Sequence, residues 1–205
     1  MRFSVRVILA LLLAAGAGAA PAAAQSALGF IGSLGSGDGQ LMGEQGIAID
    51  AAHDSNVVVA DSGNNRIEIF SAAGQFIRAF GYSPGDGQPF GPTGVAIDTA
   101  NASNIVVAEQ GNNEIDVFDA TGNFIRSFAT QPWGYGVPQG VAVDLANGSN
   151  IVVANAAQIL VFDAAGNFIR TFGSQGSGDG EFSYAYAVAV DTANGSNILC
   201  RRPGQ

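Results

Sequence analysis

Two sets of polar residues recur along this 205-residue chain, and their types are those that could hold a cation or a polar group. Asp61-Ser62-Gly63-Asn64-Asn65, Glu109-Gln110-Gly111-Asn112-Asn113 and the shortened Asn155-Ala156-Ala157 form one set. Gly35-Ser36-Gly37-Asp38-Gly39, Ser83-Pro84-Gly85-Asp86-Gly87 and Gly176-Ser177-Gly178-Asp179-Gly180 form the other. Hard cations want several oxygens around one point, which carboxylates and amides at such positions could supply. The same residues also suit tight turns, because Asp and Asn bond their own backbone while Gly and Asn accept positive φ. Turn chemistry therefore outweighs ligand chemistry for any single one of them.

Recognisable catalytic constellations are missing. His53 is the only histidine, so a zinc site built from several imidazoles cannot form, and no Gly-x-Ser-x-Gly elbow accompanies it. Cys200 is the single cysteine, which excludes an internal disulfide. We assign no catalytic residue, no metal ligand and no cofactor. From Gln25 to Cys200 only Arg66, Arg78, Arg126 and Arg170 oppose the chain's 17 carboxylates, and Lys is absent. Such a surface repels phosphate backbones, so nucleic acid is not an expected partner.

What positions these residues is a repeat. Residues 43–81, 91–128 and 137–173 match position by position, and 181–199 begin a further copy. Phe70, Phe118 and Phe162 mark the register, as do Gly74, Gly122 and Gly166, and Arg78, Arg126 and Arg170. Within the first copy four apolar runs, Gly46 to Asp50, Asn56 to Asp61, Arg66 to Phe70 and Phe76 to Phe80, are rich in Val, Ile and Phe and bounded by turn residues. A small four-stranded sheet cannot bury both faces alone. It must stack on neighbours, which is the architecture of propeller blades.

The stretches P-x-G-V-A-[IV]-D, V-V-A-D-S-G-N-N-R-I and F-D-A-x-G-x-F-I-R-x-F-G resemble the NHL repeat over roughly Ala27 to Leu199. The resemblance implies an all-β propeller, usually of six blades. Three complete blades, a leading outer strand aligned at Gly29 to Gly35 and a partial fourth blade would then make an open, incomplete ring. In that architecture both loop sets fall on one face. The candidates for meeting a ligand or partner are Asp61, Asn64, Asn65, Glu109, Asn112, Asn113, Asn155, Asp38, Asp86 and Asp179. Trp133 and Tyr135 join them because they break the Gly-Asp-Gly pattern of their loop, where they could fill space above a channel. Asp50, Asp98, Asp144 and Asp191 end the inner strands toward the other face, and their repetition argues for bonds to backbone. Arg78, Arg126 and Arg170 should lie on neighbouring rings or pair with a third-strand carboxylate. The sequon-like Asn101-Ala-Ser, Asn147-Gly-Ser and Asn194-Gly-Ser read as hairpin turns rather than modification sites.

Residues 1–24 have the basic start, short apolar core and small-residue end of a signal peptide, with cleavage expected after Ala24. Residues 25–199 are then an exported repeat domain, periplasmic or extracellular, and no later stretch is long and apolar enough for a membrane span. At Cys200 the repeat register stops, leaving 200–205 as an aberrant tail, which a frameshift or truncation of a longer protein would explain. The expected function is a non-enzymatic scaffold for a protein, a glycan or a small polar ligand, with self-association through open blade edges as a further route. The alternatives are a metal-dependent lyase or lactonase-like hydrolase on a six-bladed propeller, and a truncated product without function.

Overall fold

The computed structural model describes residues 32–81, 91–131, 133 and 136–201. The signal-peptide segment, Asp86 and Tyr135 lie outside the described residues. Every major element is a β-strand, interrupted by single 3-10 turns. The first blade runs Glu44–Asp50, Asn56–Asp61, Arg66–Phe70 and Phe76–Phe80. The second runs Pro92–Asp98, Asn104–Glu109, Glu114–Phe118 and Phe124–Ala129. The third runs Pro138–Asp144, Asn150–Asn155, Gln158–Phe162 and Phe168–Phe172. Each is an antiparallel sheet in chain order. Ala187–Asp191 and Asn197–Arg201 form an antiparallel pair that begins a fourth. These are the blades of an all-β propeller, and the ring is not closed.

Val, Ile and Phe form these strands because their branched or flat side chains suit a pleated surface packed on both faces. The core lies between the sheets. Val58, Ala60, Ile67 and Ile69 of the first blade meet Val95, Ile105, Val107 and Phe118 of the second. Ala108 and Ile115 of the second blade repeat this against Val141, Ile151, Val153 and Phe162 of the third. Ring pairs stitch the outer strands, Phe80 to Phe118 and Phe128 to Phe162, both at 5.0 Å between centroids.

Inner strands approach still more closely. A Cβ on Gly46 would lie 2.8 Å from the Cα of Gly94, and one on Gly94 would lie 2.7 Å from the carbonyl oxygen of Gln139. One on Gly140 would lie 2.8 Å from the carbonyl oxygen of Tyr186. The glycine of the P-x-G-V-A-[IV]-D motif is therefore a contact residue, absent a side chain so that one blade's backbone can reach the next.

A second repeated contact joins the opposite ends of the inner strands. The hydroxyls of Ser103, Ser149 and Ser196 donate to Oδ1 of Asp50, Asp98 and Asp144 in the preceding blade, at 2.8, 2.7 and 2.7 Å. Each serine is held at positive φ as the second of two left-handed residues, after Ala102, Gly148 and Gly195 respectively. That pairing is the geometry of a tight hairpin turn. Asp50 and Asp144 also accept from the backbone N–H of Ala52 and Ala146, as the repetition of these aspartates predicts. Burial works against ionising Asp144, but the bonds from Asn147, Ser196 and Ala146 outweigh it and hold its carboxyl below the usual range. The serine of each sequon is thus a latch to its neighbour.

Three placements correct the sequence reading. Ser33–Leu34 pairs in parallel with Gln40–Leu41, as Ser174–Gln175 pairs with Glu181–Phe182. Residues 33–35 thus belong to a connecting loop, three positions beyond the outer-strand register that Gly29 to Gly35 suggested. Cys200 and Arg201 continue the last strand opposite Val188 and Ala187 instead of starting a tail. Arg78 and Arg126 donate to the carbonyls of Thr121 (2.9 Å) and Ala164 in the next blade's hairpin, so they bridge blades through backbone and not through a carboxylate.

The end blades show what lacks a neighbour. Ile47 is 42% exposed where its counterparts Val95 and Val141 are buried, and Leu199 is 60% exposed where Val106 and Val152 are buried. Two outcomes follow. Gly94→Ala should cost about 1–3 kcal/mol in chemical denaturation, because its methyl must push a backbone away. Ser149→Ala should cost about 1–3 kcal/mol by leaving buried Asp98 short of a partner, while Ser55→Ala, exposed at the register-equivalent position of the first blade, should leave the melting temperature unchanged.

Candidate functional site

The loops between second and third strands project the candidate polar residues at one end of the blades, and each blade treats its set differently. In the first blade Asp61 is fully buried and saturated. Its Oδ1 accepts from the Met42 N–H at 2.7 Å, and its Oδ2 from Arg66 Nε at 2.9 Å and Asn64 Nδ2 at 2.7 Å. Arg66 is itself buried and crosses to the loop before the blade, donating to the carbonyls of Ser36, Gly37 and Gln40 at 3.1, 2.8 and 2.6 Å. Its Nη2 also meets Glu68 Oε1 at 2.7 Å. A planar guanidinium with five donors suits this task, since it can bridge two carboxylates and a run of carbonyls at once.

These contacts decide the roles of several candidates. Asn64 donates to the Gly35 carbonyl at 2.9 Å and Asn65 takes the left-handed conformation that ends the 3-10 turn. Both shape the loop, as turn chemistry predicts. Asp38 and Asp179 are exposed at the tips of the Gly-rich connections. Arg66 falls inside the V-V-A-D-S-G-N-N-R-I stretch, but it and Glu68 have different counterparts in every blade, Glu114 and Asp116 in the second and Gln158 and Leu160 in the third. Divergence at these two register positions is the signal the sequence holds for them.

In the second blade Glu109 stands where Asp61 does and accepts from the N–H groups of Gly111 (2.7 Å) and Asn112 (2.5 Å). Asn112 is exposed, and Asn113 adopts positive φ with its carbonyl taking both donors of Thr130. The strand pairing aligns Glu114 with Arg66 and Asp116 with Glu68. A cation has become a carboxylate here. Asp116 is buried, its Oδ1 has no hydrogen-bond partner, and burial followed by the charges of Glu109 and Glu114 pushes its carboxyl up to about 7. Glu68 is likewise pushed up to about 7 by burial, despite the opposing pull of Arg66.

In the third blade Asn155, Gln158 and Leu160 hold the equivalent positions. Asn155 is fully buried, and neither its Oδ1 nor its Nδ2 has a partner. Trp133 lies in the connection between the second and third blades. Its ring stacks on Phe168, at the start of the third blade's outer strand, with centroids 4.4 Å apart and planes 5° from parallel. It fills the wedge between blades. His53 donates or accepts at Nδ1 with Asp50 Oδ2 at 2.7 Å, taking the place that Asn101 and Asn147 occupy on Asp98 and Asp144. The imidazole thus sits among the hairpins that bear the serine latches, away from the polar loops. Among the described residues no three His, Cys, Asp or Glu side chains are placed to hold one metal ion.

Comparison with known proteins agrees with this architecture. The model of a family described as "6-bladed beta-propeller" matches residues 142–203. Among solved structures, hydrazine synthase of Kuenenia stuttgartiensis superimposes with a TM-score of 0.61 at 14% identity, over 80% of this chain and 44% of that one. Virginiamycin B lyase from Staphylococcus aureus gives 0.58 at 16% identity, over 78% and 48%. A streptogramin B lyase gives 0.55 at 14%, over 80% and 55%. The chain spans about half the length of the structures it matches, and no curated protein matches it. At these identities the likeness establishes the propeller fold and nothing of the chemistry.

The buried Asp116 makes stability depend on pH in a stated direction. Its folded value near 7 lies above the unfolded value of about 4, so the stability tied to its neutral form is present below pH 4 and is lost as pH rises through 7. Asp116→Asn should therefore raise the melting temperature at pH 8, by an amount equivalent to at most about 4 kcal/mol, and the difference should vanish at pH 4.

Proposed function

We propose that this chain is an exported NHL-type propeller that serves as a non-enzymatic binding scaffold. The observation that carries the reading is a contrast between framework and loops. Gly46, Gly94 and Gly140 keep one residue type for one contact, and so do Asp50, Asp98 and Asp144. At the loop end the same register positions read Asp61, Glu109 and Asn155, then Arg66, Glu114 and Gln158, then Glu68, Asp116 and Leu160. A rigid repeated frame that presents a different polar set from each blade is what a recognition surface needs. The NHL assignment draws support from the structural duties of its motif residues: the motif glycine admits the next blade and the motif aspartate receives its serine. A signal peptide at 1–24 would deliver the domain to the periplasm or the exterior, where its acidic, lysine-free surface favours solubility.

A second reading, a lyase of the streptogramin class, is favoured by the likeness to virginiamycin B and streptogramin B lyases. Purified residues 25–205 should leave virginiamycin B intact over hours with or without added divalent metal, as followed by chromatography of the remaining compound. Metal-dependent, saturable loss of the compound would replace the scaffold reading with the enzymatic one.

A further inference from the structure

The first two blades fill the same three register positions with different charges. In the first, Asp61 and Glu68 hold a guanidinium, with Oδ2 of Asp61 2.9 Å from Arg66 Nε and Oε1 of Glu68 2.7 Å from its Nη2. In the second, strand pairing puts Glu109 and Asp116 at the matching positions, and Glu114 replaces the arginine. A third carboxylate thus stands where the first blade has its guanidinium-bearing residue. Asp116 is only 3% exposed and its Oδ1 has no partner. A buried acceptor of this kind is costly unless something completes it.

We propose that the second blade binds a guanidinium group supplied from outside the chain, received between Glu109 and Asp116 with Glu114 at its rim. Residues 109, 114 and 116 lie on one face of adjacent strands, since Glu109 pairs with Glu114 and Asp116 follows two positions on. Glu114 is half-buried and Gln110, Gly111 and Asn112 are exposed, so the group enters from the loop end. A planar fork fits better than a point charge. Arg66 shows that a guanidinium spans the two equivalent carboxylates, whereas no three acids among the described residues converge on one metal ion. The site stands whether or not the propeller acts as a scaffold. Its guanidinium can come from an arginine side chain of a partner protein or from a free small molecule.

Isothermal titration of residues 25–205 with acetyl-Gly-Arg-Gly-amide, its lysine counterpart, free L-arginine and calcium chloride tests this. The arginine peptide should bind saturably at 1:1, at least tenfold more tightly than the lysine peptide, and calcium should not compete with it. Asp116→Asn should weaken the peptide at least tenfold. Glu114→Arg should abolish binding and raise the melting temperature, because it rebuilds within the second blade the arrangement of the first. Tighter binding of peptide than of free arginine assigns the source to a protein; equal or tighter binding of free arginine assigns it to a small molecule. The proposal is overturned if neither guanidinium compound binds, if lysine or calcium binds as well, or if binding survives Asp116→Asn. Circular dichroism melts of both variants establish that each is folded, and a Glu114→Arg variant that is folded yet less stable than the parent also counts against the site.

Discussion

The contact on which the blade stacking depends is between glycines of neighbouring inner strands. Gly46 approaches Gly94, and Gly94 approaches Gly140, at distances where no Cβ can stand. This backbone contact sets how near the inner strands come, and everything farther out follows from it. Twisted sheets that touch at their inner strands diverge toward the outside. Aromatic rings and connecting loops fill the widening wedge: Phe80 on Phe118, Phe128 on Phe162, Trp133 on Phe168, and Leu41 on the first blade's own Phe70 and Phe76.

Close approach alone would leave the sheets free to slide along one another. The serine-to-aspartate bonds remove that freedom by fixing one end of each inner strand to the neighbouring hairpin. Arg78 and Arg126 add an outer tie from one blade's fourth strand to the next blade's turn. Because every bond of this kind crosses between blades, no blade is complete by itself. The exposed Ile47 and Leu199 are the two faces at which the described series has no next member. Stability in such an arrangement accumulates from nearest-neighbour interfaces rather than from one central core.

With the frame carried by glycine, serine and aspartate, the loop end is free to vary. Three blades give three chemistries at one register: a buried ion-pair network around Arg66, an all-acid set around Asp116, and an amide at Asn155 whose polar atoms are unmatched. Of the carboxylates that stand out in the linear sequence, Asp61 holds the Met42 N–H of the loop before its blade, and Glu109 holds N–H groups of its own loop. Glu68 and Asp116, which drew no attention there, are the groups whose ionisation burial has altered most plainly.

The sequence by itself determined the repeat, the four strands of each blade and the hairpin reading of the Asn-x-Ser turns, because period-two apolar runs and turn residues are local signals that recur in register. It also showed that turn chemistry outweighs ligand chemistry at Asn64 and Asn65. Only tertiary structure decided what the motif residues touch. The glycine contact, the serine latch, the backbone partners of Arg78 and Arg126 and the stacking of Trp133 on Phe168 join residues 35 to 53 positions apart, or different strands of one wedge, and no local pattern encodes which face meets which. Gly and Ser repeat too densely around Ser33–Leu34 to fix a register locally, and the pairing with Gln40–Leu41 sets it three residues from the sequence alignment. Burial decided the rest, since whether a carboxylate is a turn cap, an ion-pair member or an unmatched acid depends on the water it has lost, which is a property of the packed blades and not of the chain.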